Sequence, residues 1–316
     1  MTLFMFLKKQ NDFFLPITQV IKPMEYNVLA LALGANFCFA AGSQFFTHFT
    51  IKLGTYWMNW FKAAFALILF MIWMLLTEGI SWPGTAPTIY LFLSGIIGLA
   101  IGDLCLLQAF KDLGPGRTLM LFSFQPLLAG TAGHLFFNQG LDAERFWAIF
   151  FFILCVFIFS LESFRRDKHW AIPGILMALA GMTLDTAGVI ITRSIFDHHP
   201  EITPMSSNLY RTLGAVVFFF LFSFHKKRKK LINPFLNLNL KEKVSVLCGS
   251  FLGTFLSLAL YLTAVQYAHL GSLAGISITA ALFSSLFECI WIRKWPSVYL
   301  WISFVSFLIG MNILLF

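Results

Sequence analysis

The fold is decided by the stretch 88-TIYLFLSGIIGLAIGDLCLLQAFKDLGPGRTLMLFSFQPLLAGTAGHLFFNQ-139. It consists of an apolar run, a break at Gly114-Pro115-Gly116, and a second apolar run. Glycines recur in the first run, and a lone acid, Asp103, follows Gly102 directly. Because about 20 apolar residues suffice for a helix to cross a bilayer, the stretch predicts two membrane spans joined by a tight turn. The first span then carries a carboxylate in its interior.

The whole chain has the composition of a membrane protein. Its 316 residues are 59% hydrophobic and 11% charged, whereas soluble domains are about 45–50% apolar and about 25% charged. Backbone in a bilayer must satisfy its own hydrogen bonds, and runs this long exceed barrel strands, so helices are expected. The pattern predicts an all-α polytopic membrane protein with ten transmembrane helices, near residues 27–50, 55–77, 87–110, 118–137, 146–163, 170–192, 205–224, 244–266, 270–292 and 297–316.

The net charge of +8 does not indicate nucleic-acid binding, because basic residues cluster in short loops between apolar runs. The densest run, residues 226–230, is read as a topology anchor beside an anionic leaflet, with a specific lipid-headgroup or nucleic-acid role as the alternative. The five cysteines lie in apolar runs without a C-x-x-C pair, so neither a disulfide framework nor a metal site is expected. No cofactor is expected either.

The chain contains an internal repeat. Residues 59–62 (NWFK) match residues 208–211 (NLYR), and residues 98–116 align with residues 253–271. We predict a tail over residues 1–26 and two five-helix repeats over 27–163 and 164–316. An odd number of spans per repeat inverts the second copy, and inverted repeats are a recurrent plan of secondary transporters, with the substrate site at the midplane between the copies.

These features resemble the EamA type of the drug/metabolite transporter superfamily. The resemblance rests on Gly102-Asp103, the break at 113–117, the sequence Phe124-Gln125-Pro126, and a cation early in the second and seventh spans. It covers residues 27–316. It implies a ten-helix transporter in a bacterial inner membrane that exports or takes up amino acids, nucleotide-like metabolites or toxic amphiphiles.

The sequence departs from the family pattern in both halves. Family members usually end the fourth span in a Gly-Glu pair, whereas Asn138-Gln139 and Ile292-Arg293 stand at these positions, and Ala280 lies opposite Pro126. No coupling role of the family glutamates is carried over. Orientation is also open: odd-numbered loops hold most of the loop lysines and arginines, which predicts both termini outside, while the resemblance implies both termini inside.

Ionisable residues inside spans are expensive, at about 2.5–3.5 kcal/mol each on insertion scales. The ionisable candidates for binding substrate or protons are Asp103, Asp185, Glu288, His134, Lys62 and Arg211. Neutral polar candidates, which interhelical hydrogen bonding explains equally well, are Asn36, Asn59, Asn208, Gln108, Gln125 and Tyr261.

Each ionisable candidate also has a structural interpretation. Asp103 is either a proton or substrate-cation site, or a structural carboxylate that pairs with Lys62 or caps a kink. Lys62 and Arg211 occupy equivalent repeat positions and either snorkel or form ion pairs, or bind an anionic substrate group. Asn59 and Asn208 precede them by three residues on the same helical face, so each could orient its cation.

The remaining candidates follow from glycine spacing and helix position. Asp185 lies beside a stripe of glycines at seven-residue spacing (Gly174, Gly181, Gly188), which favours a cavity-facing position. Glu288 follows a run of small residues, and His134 falls near it in the repeat alignment, as a proton carrier or a satisfied interfacial residue. Helix-packing and hinge candidates are Gly98, Gly102, Pro126, Gly249 and Gly253.

The leading functional hypothesis is a secondary active transporter of a small metabolite or amphiphile, working by alternating access and coupled to protons. Asp103→Asn is then expected to abolish or uncouple pH-driven flux. A lipid flippase or scramblase on the same fold is the alternative. A membrane lipid enzyme is disfavoured because no H-E-x-x-H, G-x-S-x-G or paired acidic motif is present. The expected partners are the lipid bilayer and an unidentified small molecule, and a monomer is favoured over a dimer because the fused halves already complete the inverted pair.

Overall fold

The computed structural model describes residues 26–79, 82–122, 171–225, 233–267, 278–293 and 297–315, together with residues 125, 231, 276 and 295 and scattered residues within 147–165. All regular structure in these residues is helical. The helices are α1 Tyr26–Leu53, α2 Thr55–Leu76, α3 Thr85–Leu113, α4 Pro115–Phe122, α5 Ile172–His198, α6 Pro204–His225, α7 Asn233–Leu236, α8 Leu240–Tyr267, α9 Ile278–Ile292 and α10 Val298–Leu315.

The predicted all-α polytopic fold is confirmed. Six helices are long and apolar enough to cross a membrane, namely α1, α2, α3, α5, α6 and α8, and shorter apolar helices cover Thr279–Trp291 and Val298–Gly310. The helix α4 begins the predicted fourth span. The rest of that span and most of the fifth fall on residues 123–170, which lie largely outside the described residues.

The eighth span begins earlier than predicted because of a helix cap. The predicted start at residue 244 left the charged residues 241–243 in a loop, but α8 begins at Leu240. The side chain of Asn239 accepts a hydrogen bond from the backbone N–H of Glu242 at 2.9 Å, and Glu242 accepts one from the N–H of Asn239 at 3.4 Å. This reciprocal capping box satisfies the first backbone donors and lets the charged residues form the first helical turn.

Two helices contain π-helical segments at equivalent positions of the repeat. The segments are Gly95–Gly102 in α3 and Phe251–Leu256 in α8. In the repeat alignment, the first segment corresponds to residues 250–257, so the two coincide. Insertions of this type inside α-helices occur frequently at functional sites.

Asn59 and Asn208 bind the backbone of these two helices. Asn59 Nδ2 donates to the carbonyl oxygens of Leu99 at 3.2 Å and Ala100 at 2.9 Å, and Asn208 Nδ2 donates to that of Leu258 at 3.0 Å. Their side-chain oxygens have no partner within the described part of the chain. In this structure both asparagines donate to the backbone of a neighbouring helix, and neither hydrogen-bonds to the cation three residues after it.

The first helix of each half packs on the third helix of the other half. A Cβ on Gly42 of α1 would lie 2.3 Å from the Cα of Gly253 in α8, and a Cβ on Gly188 of α5 would lie 3.3 Å from the Cα of Gly98 in α3. The two contacts are equivalent, because Gly98 aligns with Gly253 in the repeat. This exchange interlocks the halves, and it leaves α2 and α6 packed against each other.

Candidate functional site

Lys62 and Asp103 form a buried ion pair. Lys62 Nζ donates to Asp103 Oδ2 at 2.5 Å, and the two residues are 2% and 8% exposed. Lys62 Nζ also lies 5.2 Å from the ring centroid of Phe46, close enough for a cation–π interaction. Of the alternatives that the sequence left open, the structure therefore has the paired arrangement, and Lys62 does not snorkel.

Arg211 is held by the hydroxyl group of Ser94, which lies on another helix. It is 1% exposed, and its Nε donates to Ser94 Oγ at 3.1 Å. Ser94 Oγ donates in turn to the carbonyl oxygen of Gly188 at 2.7 Å and lies 2.9 Å from Thr192 Oγ1. Ser94 belongs to the first half and Thr192 to the second, so the guanidinium is fixed at the junction of the two repeats.

The Asp185 backbone and the Arg211 guanidinium both lie beside Gly98. A Cβ on Gly98 would lie 3.7 Å from Arg211 Nη2 and 3.8 Å from the Cα of Asp185. Gln125 Nε2 donates to Asp185 Oδ2 at 3.1 Å. Asp185 and Arg211 interact electrostatically, and Tyr261 interacts with both. Asp185 and Tyr261 are each half-buried.

The four charged residues act as one group, which we call the charge cluster: Lys62, Asp103, Asp185 and Arg211. The Asp185 carboxylate interacts electrostatically with the other three members, and the Arg211 guanidinium also interacts with Asp103. The cluster holds two cations and two anions, so its formal charge is zero. Each half contributes one of each sign, which neutralises charges that would be costly in a bilayer.

Two other predicted site residues, Asn36 and Gln108, form hydrogen bonds away from the cluster. Asn36 Nδ2 donates to the carbonyl oxygen of Ile276 and to Thr279 Oγ1, both at 2.9 Å. Gln108 accepts from Thr55 Oγ1 at 3.1 Å and donates to the carboxylate of Asp112 at 3.0 Å.

Glu288, a residue of α9, lies beside the N-terminus of α4. Its Oε2 accepts the backbone N–H of Gly116 at 2.9 Å. A Cβ on Gly114, whose φ is 86°, would lie 2.6 Å from Oε1, so only glycine accommodates this approach. A carboxylate at a helix N-terminus is favoured by the helix dipole. Glu288 of the second half thus caps a helix of the first half, and the predicted positions of His134 and Pro126 lie outside the described residues.

The other predicted glycines mediate close packing. A Cβ on Gly249 would lie 2.4 Å from Phe45 Cβ, and one on Gly102 would lie 3.2 Å from Leu184 Cβ. A Cβ on Gly181 would lie 3.1 Å from the carbonyl oxygen of Gly102. These glycines therefore let α1 approach α8 and let α5 approach α3.

Sequence reasoning missed Ser94, Thr192 and Phe46. Serine and threonine in membrane helices commonly bond to their own backbone, as Thr192 also does at 3.0 Å to Gly188, so their residue types gave no signal. The one usable clue was that Ser94 lies a helical turn before Gly98. Within the described residues, no group of three or more His, Cys, Asp or Glu side chains is placed to hold a metal ion.

Interlocked halves of apolar helices around buried charges are the architecture of an integral, multi-pass membrane protein. The sequence profile of the EamA-like transporter family matches residues 27–161 and 172–316, and the chain belongs to this family. This confirms the family resemblance and the two repeats. No curated protein matches the chain. One solved structure, described only as the crystal structure of a protein, is similar with a TM-score of 0.64 and 14% identity, over 90% of this chain and 94% of its own, which shows the fold alone.

Proposed function

We propose that the protein is a secondary active transporter that moves a small solute by alternating access and couples this movement to protons. The supporting observation is the charge cluster between the two halves. Charged residues in a membrane interior are rare and mark substrate or proton pathways. We also propose that the protein acts as a monomer, because one chain supplies both repeats. As the family resemblance implies, we place it in a bacterial inner membrane.

Asp185 is the proposed proton-carrying group. The carboxylate of Asp103 is held by Lys62 at 2.5 Å, which leaves Asp185 as the better candidate for this role. Asp185 Oδ1 accepts no hydrogen bond from any described residue, and the side chain is half-buried. Proton binding at Asp185 would change the cluster from neutral to a net charge of one and weaken the hold on Arg211, which couples protonation to the packing of α5 and α6.

The glycine contacts supply surfaces for the motion. Gly42 meets Gly253 and Gly188 meets Gly98 with no side chains between the helices. Smooth backbone surfaces of this kind allow helices to slide or rock without repacking interlocked side chains. Alternating access in inverted-repeat transporters is largely such a rocking motion around a fixed site.

The test is solute-driven proton movement in proteoliposomes. Purified protein is reconstituted with an entrapped pH-sensitive dye, and inward gradients of a panel of metabolites are imposed one at a time. We expect at least one solute to change the internal pH with the wild type and not with Asp185→Asn. Glu201→Gln is the matched control, because Glu201 lies in the exposed α5–α6 loop beside His199.

Two outcomes would contradict the proposal. Equal solute-driven pH changes in the wild type and in Asp185→Asn would remove Asp185 from proton coupling. The second outcome is that no solute moves protons, while fluorescent lipid in both leaflets of the proteoliposomes becomes accessible to an external bleaching reagent. That result would indicate lipid scrambling and not solute transport.

A further inference from the structure

The contact between Glu288 and the start of α4 joins the two halves of the chain. Glu288 belongs to the second half, and its Oε2 accepts the backbone N–H of Gly116, in the first half, at 2.9 Å. A Cβ on Gly116 would lie 2.8 Å from Ser285 Oγ and 2.9 Å from Glu288 Oε2, and a Cβ on Gly114 would lie 2.6 Å from Glu288 Oε1. A side chain at either glycine would therefore push the carboxylate away from the helix start.

This contact lies near one end of the helix bundle. Trp291, which follows in α9, packs edge-on against Phe45 in the last part of α1, with ring centroids 5.1 Å apart. Lys52, at the carboxyl end of α1, pairs with Glu242 at the amino end of α8. The carboxyl ends of α1 and α9 and the amino end of α8 therefore lie together, and we call this part of the bundle the Glu288 end.

The space beside the contact is closed to solvent in this structure. Ser285 lies three residues before Glu288 on α9, and its Oγ is buried and has no hydrogen-bond partner within the described part of the chain. A reagent in water could reach this hydroxyl position only if α9 and the start of α4 moved apart.

The chemistry of the contact suits repeated opening. On the α4 side it consists of glycine backbone, so no interlocked side chains have to repack when it separates. The carboxylate and the N–H can both be hydrated by water that enters, so neither is left buried without a partner. When the contact is closed, the dipole of α4 attracts the carboxylate. The buried pair of Lys62 and Asp103, at 2% and 8% exposure, has no such access to water.

The chain that carries this contact also carries a partner of the charge cluster. Gln125 follows three residues after the last residue of α4, and its Nε2 donates to Asp185 Oδ2 at 3.1 Å. Gly116 and Gln125 are thus close in sequence, one bound to Glu288 and the other to the proposed proton carrier. A change at Asp185 therefore has a short covalent route to the Glu288 end.

We propose that Glu288 is the latch of a gate, whose bond to the start of α4 closes the Glu288 end of the transport pathway and breaks when that end opens. The proposal rests on the proposed function for the existence of a pathway. The latch itself is a conformational property, which can be measured without a transported solute.

The test measures how fast a reporter cysteine reacts at each end of the bundle. In protein whose five native cysteines have been replaced, Ser285→Cys reports on the Glu288 end, and its hydroxyl has no described partner to lose. Gln266→Cys, at the carboxyl end of α8 and half-buried, reports on the opposite end. A membrane-impermeant thiol reagent is applied to each side of oriented vesicles, and the labelling rate is measured for each reporter separately.

Substitutions of Glu288 should raise the labelling rate of Ser285→Cys, because that rate follows the fraction of molecules open at this end. Glu288→Ala removes the acceptor and should raise the rate at least about tenfold. Glu288→Gln keeps an acceptor and loses only the charge that the α4 dipole attracts, so the expected rise is about two- to fivefold. If Glu288→Ala fails to fold, Glu288→Asp takes its place, because it keeps the charge and shortens the reach by one methylene. Lys52→Ala is the matched control, since it breaks a largely exposed pair at the same end and should change the rate much less.

The reporter at the opposite end separates a gate from a purely structural cap. If the two ends open in alternation, the shift toward the state open at the Glu288 end must lower the labelling rate of Gln266→Cys in the Glu288→Ala protein. Loss of a cap that only stabilises α4 would leave that rate unchanged or raise it.

The proposal is overturned if folded Glu288→Ala protein labels at Ser285→Cys as slowly as its parent, or if labelling at Gln266→Cys does not fall. Its failure is separable from failure of the proposed function. Opposite changes at the two ends without any solute-driven proton movement would keep the latch and reject proton coupling. Proton-coupled flux with unchanged labelling would keep the transporter and reject the latch.

Discussion

Breaking the ion pair of Lys62 and Asp103 on one side should destabilise the protein more than removing both charges. The pair is buried, with 2.5 Å between Nζ and Oδ2, so a single substitution leaves a charge without its partner. Such a loss costs about 3–5 kcal/mol, whereas replacing a whole buried pair by apolar residues of similar volume is often neutral or stabilising. The second half supplies a natural guide, because Leu258 stands at the position aligned with Asp103.

The suitable substitutions are Lys62→Met and Asp103→Leu. Each alone should lower the free energy of unfolding by about 3–5 kcal/mol. The double variant retains Asp185 and Arg211, whose charges cancel, and should lie much closer to the wild type than the sum of the two losses. The expected coupling energy is therefore at least about 3 kcal/mol.

The assay is denaturant unfolding of the four purified proteins in detergent, followed by far-ultraviolet circular dichroism. The pair of Lys52 and Glu242, which is largely exposed, serves as the matched control and should show a much smaller coupling. Additive losses at Lys62 and Asp103, within about 0.5 kcal/mol, would refute the argument that the two side chains neutralise each other.

Two further substitutions test the packing and the assignment of acids. Gly42→Ala places a methyl 2.3 Å from a Cα in α8 and should cost at least about 1–3 kcal/mol in thermal or chemical unfolding. Gly98→Ala, whose nearest contact would be at 3.7 Å, should leave the free energy of unfolding nearly unchanged. Equal stability of the two variants would contradict the close contact at Gly42. Glu288→Gln keeps an oxygen acceptor for the Gly116 N–H, so we expect the pH dependence of transport in proteoliposomes to be unchanged. Loss of that pH dependence in the variant would place Glu288 on the proton path.

The sequence predicted which side chains matter better than it predicted which of them meet. Charges in apolar spans are conspicuous, so Lys62, Asp103, Asp185 and Arg211 were all identified. Their partners were not, because Lys62 and Asp103 are 41 residues apart on different helices and Arg211 binds Ser94 across 117 residues. Contacts of this kind depend on how the two halves interlock, which hydropathy does not encode.

The glycine pattern shows the same limit. The spacing of Gly174, Gly181 and Gly188 indicated a close helix contact, yet it did not indicate that α5 packs on α3 of the opposite half. The π-helical segment at Gly95–Gly102 was also beyond reach, since it is a change of hydrogen-bond register within an uninterrupted apolar run. The partners of Asn59 were not predicted for a related reason, because its backbone acceptors at Leu99 and Ala100 exist only in the folded bundle.

The most direct test of the account is whether the charge cluster can be reached from both sides of the membrane. Tyr261→Cys is introduced into protein whose five native cysteines have been replaced, and a membrane-impermeant thiol reagent is applied to each side of oriented vesicles in turn. Alternating access predicts labelling from both sides of the membrane. Labelling from neither side, in protein shown to be folded, would mean that the cluster is a sealed structural core, and the transport mechanism argued here would be contradicted.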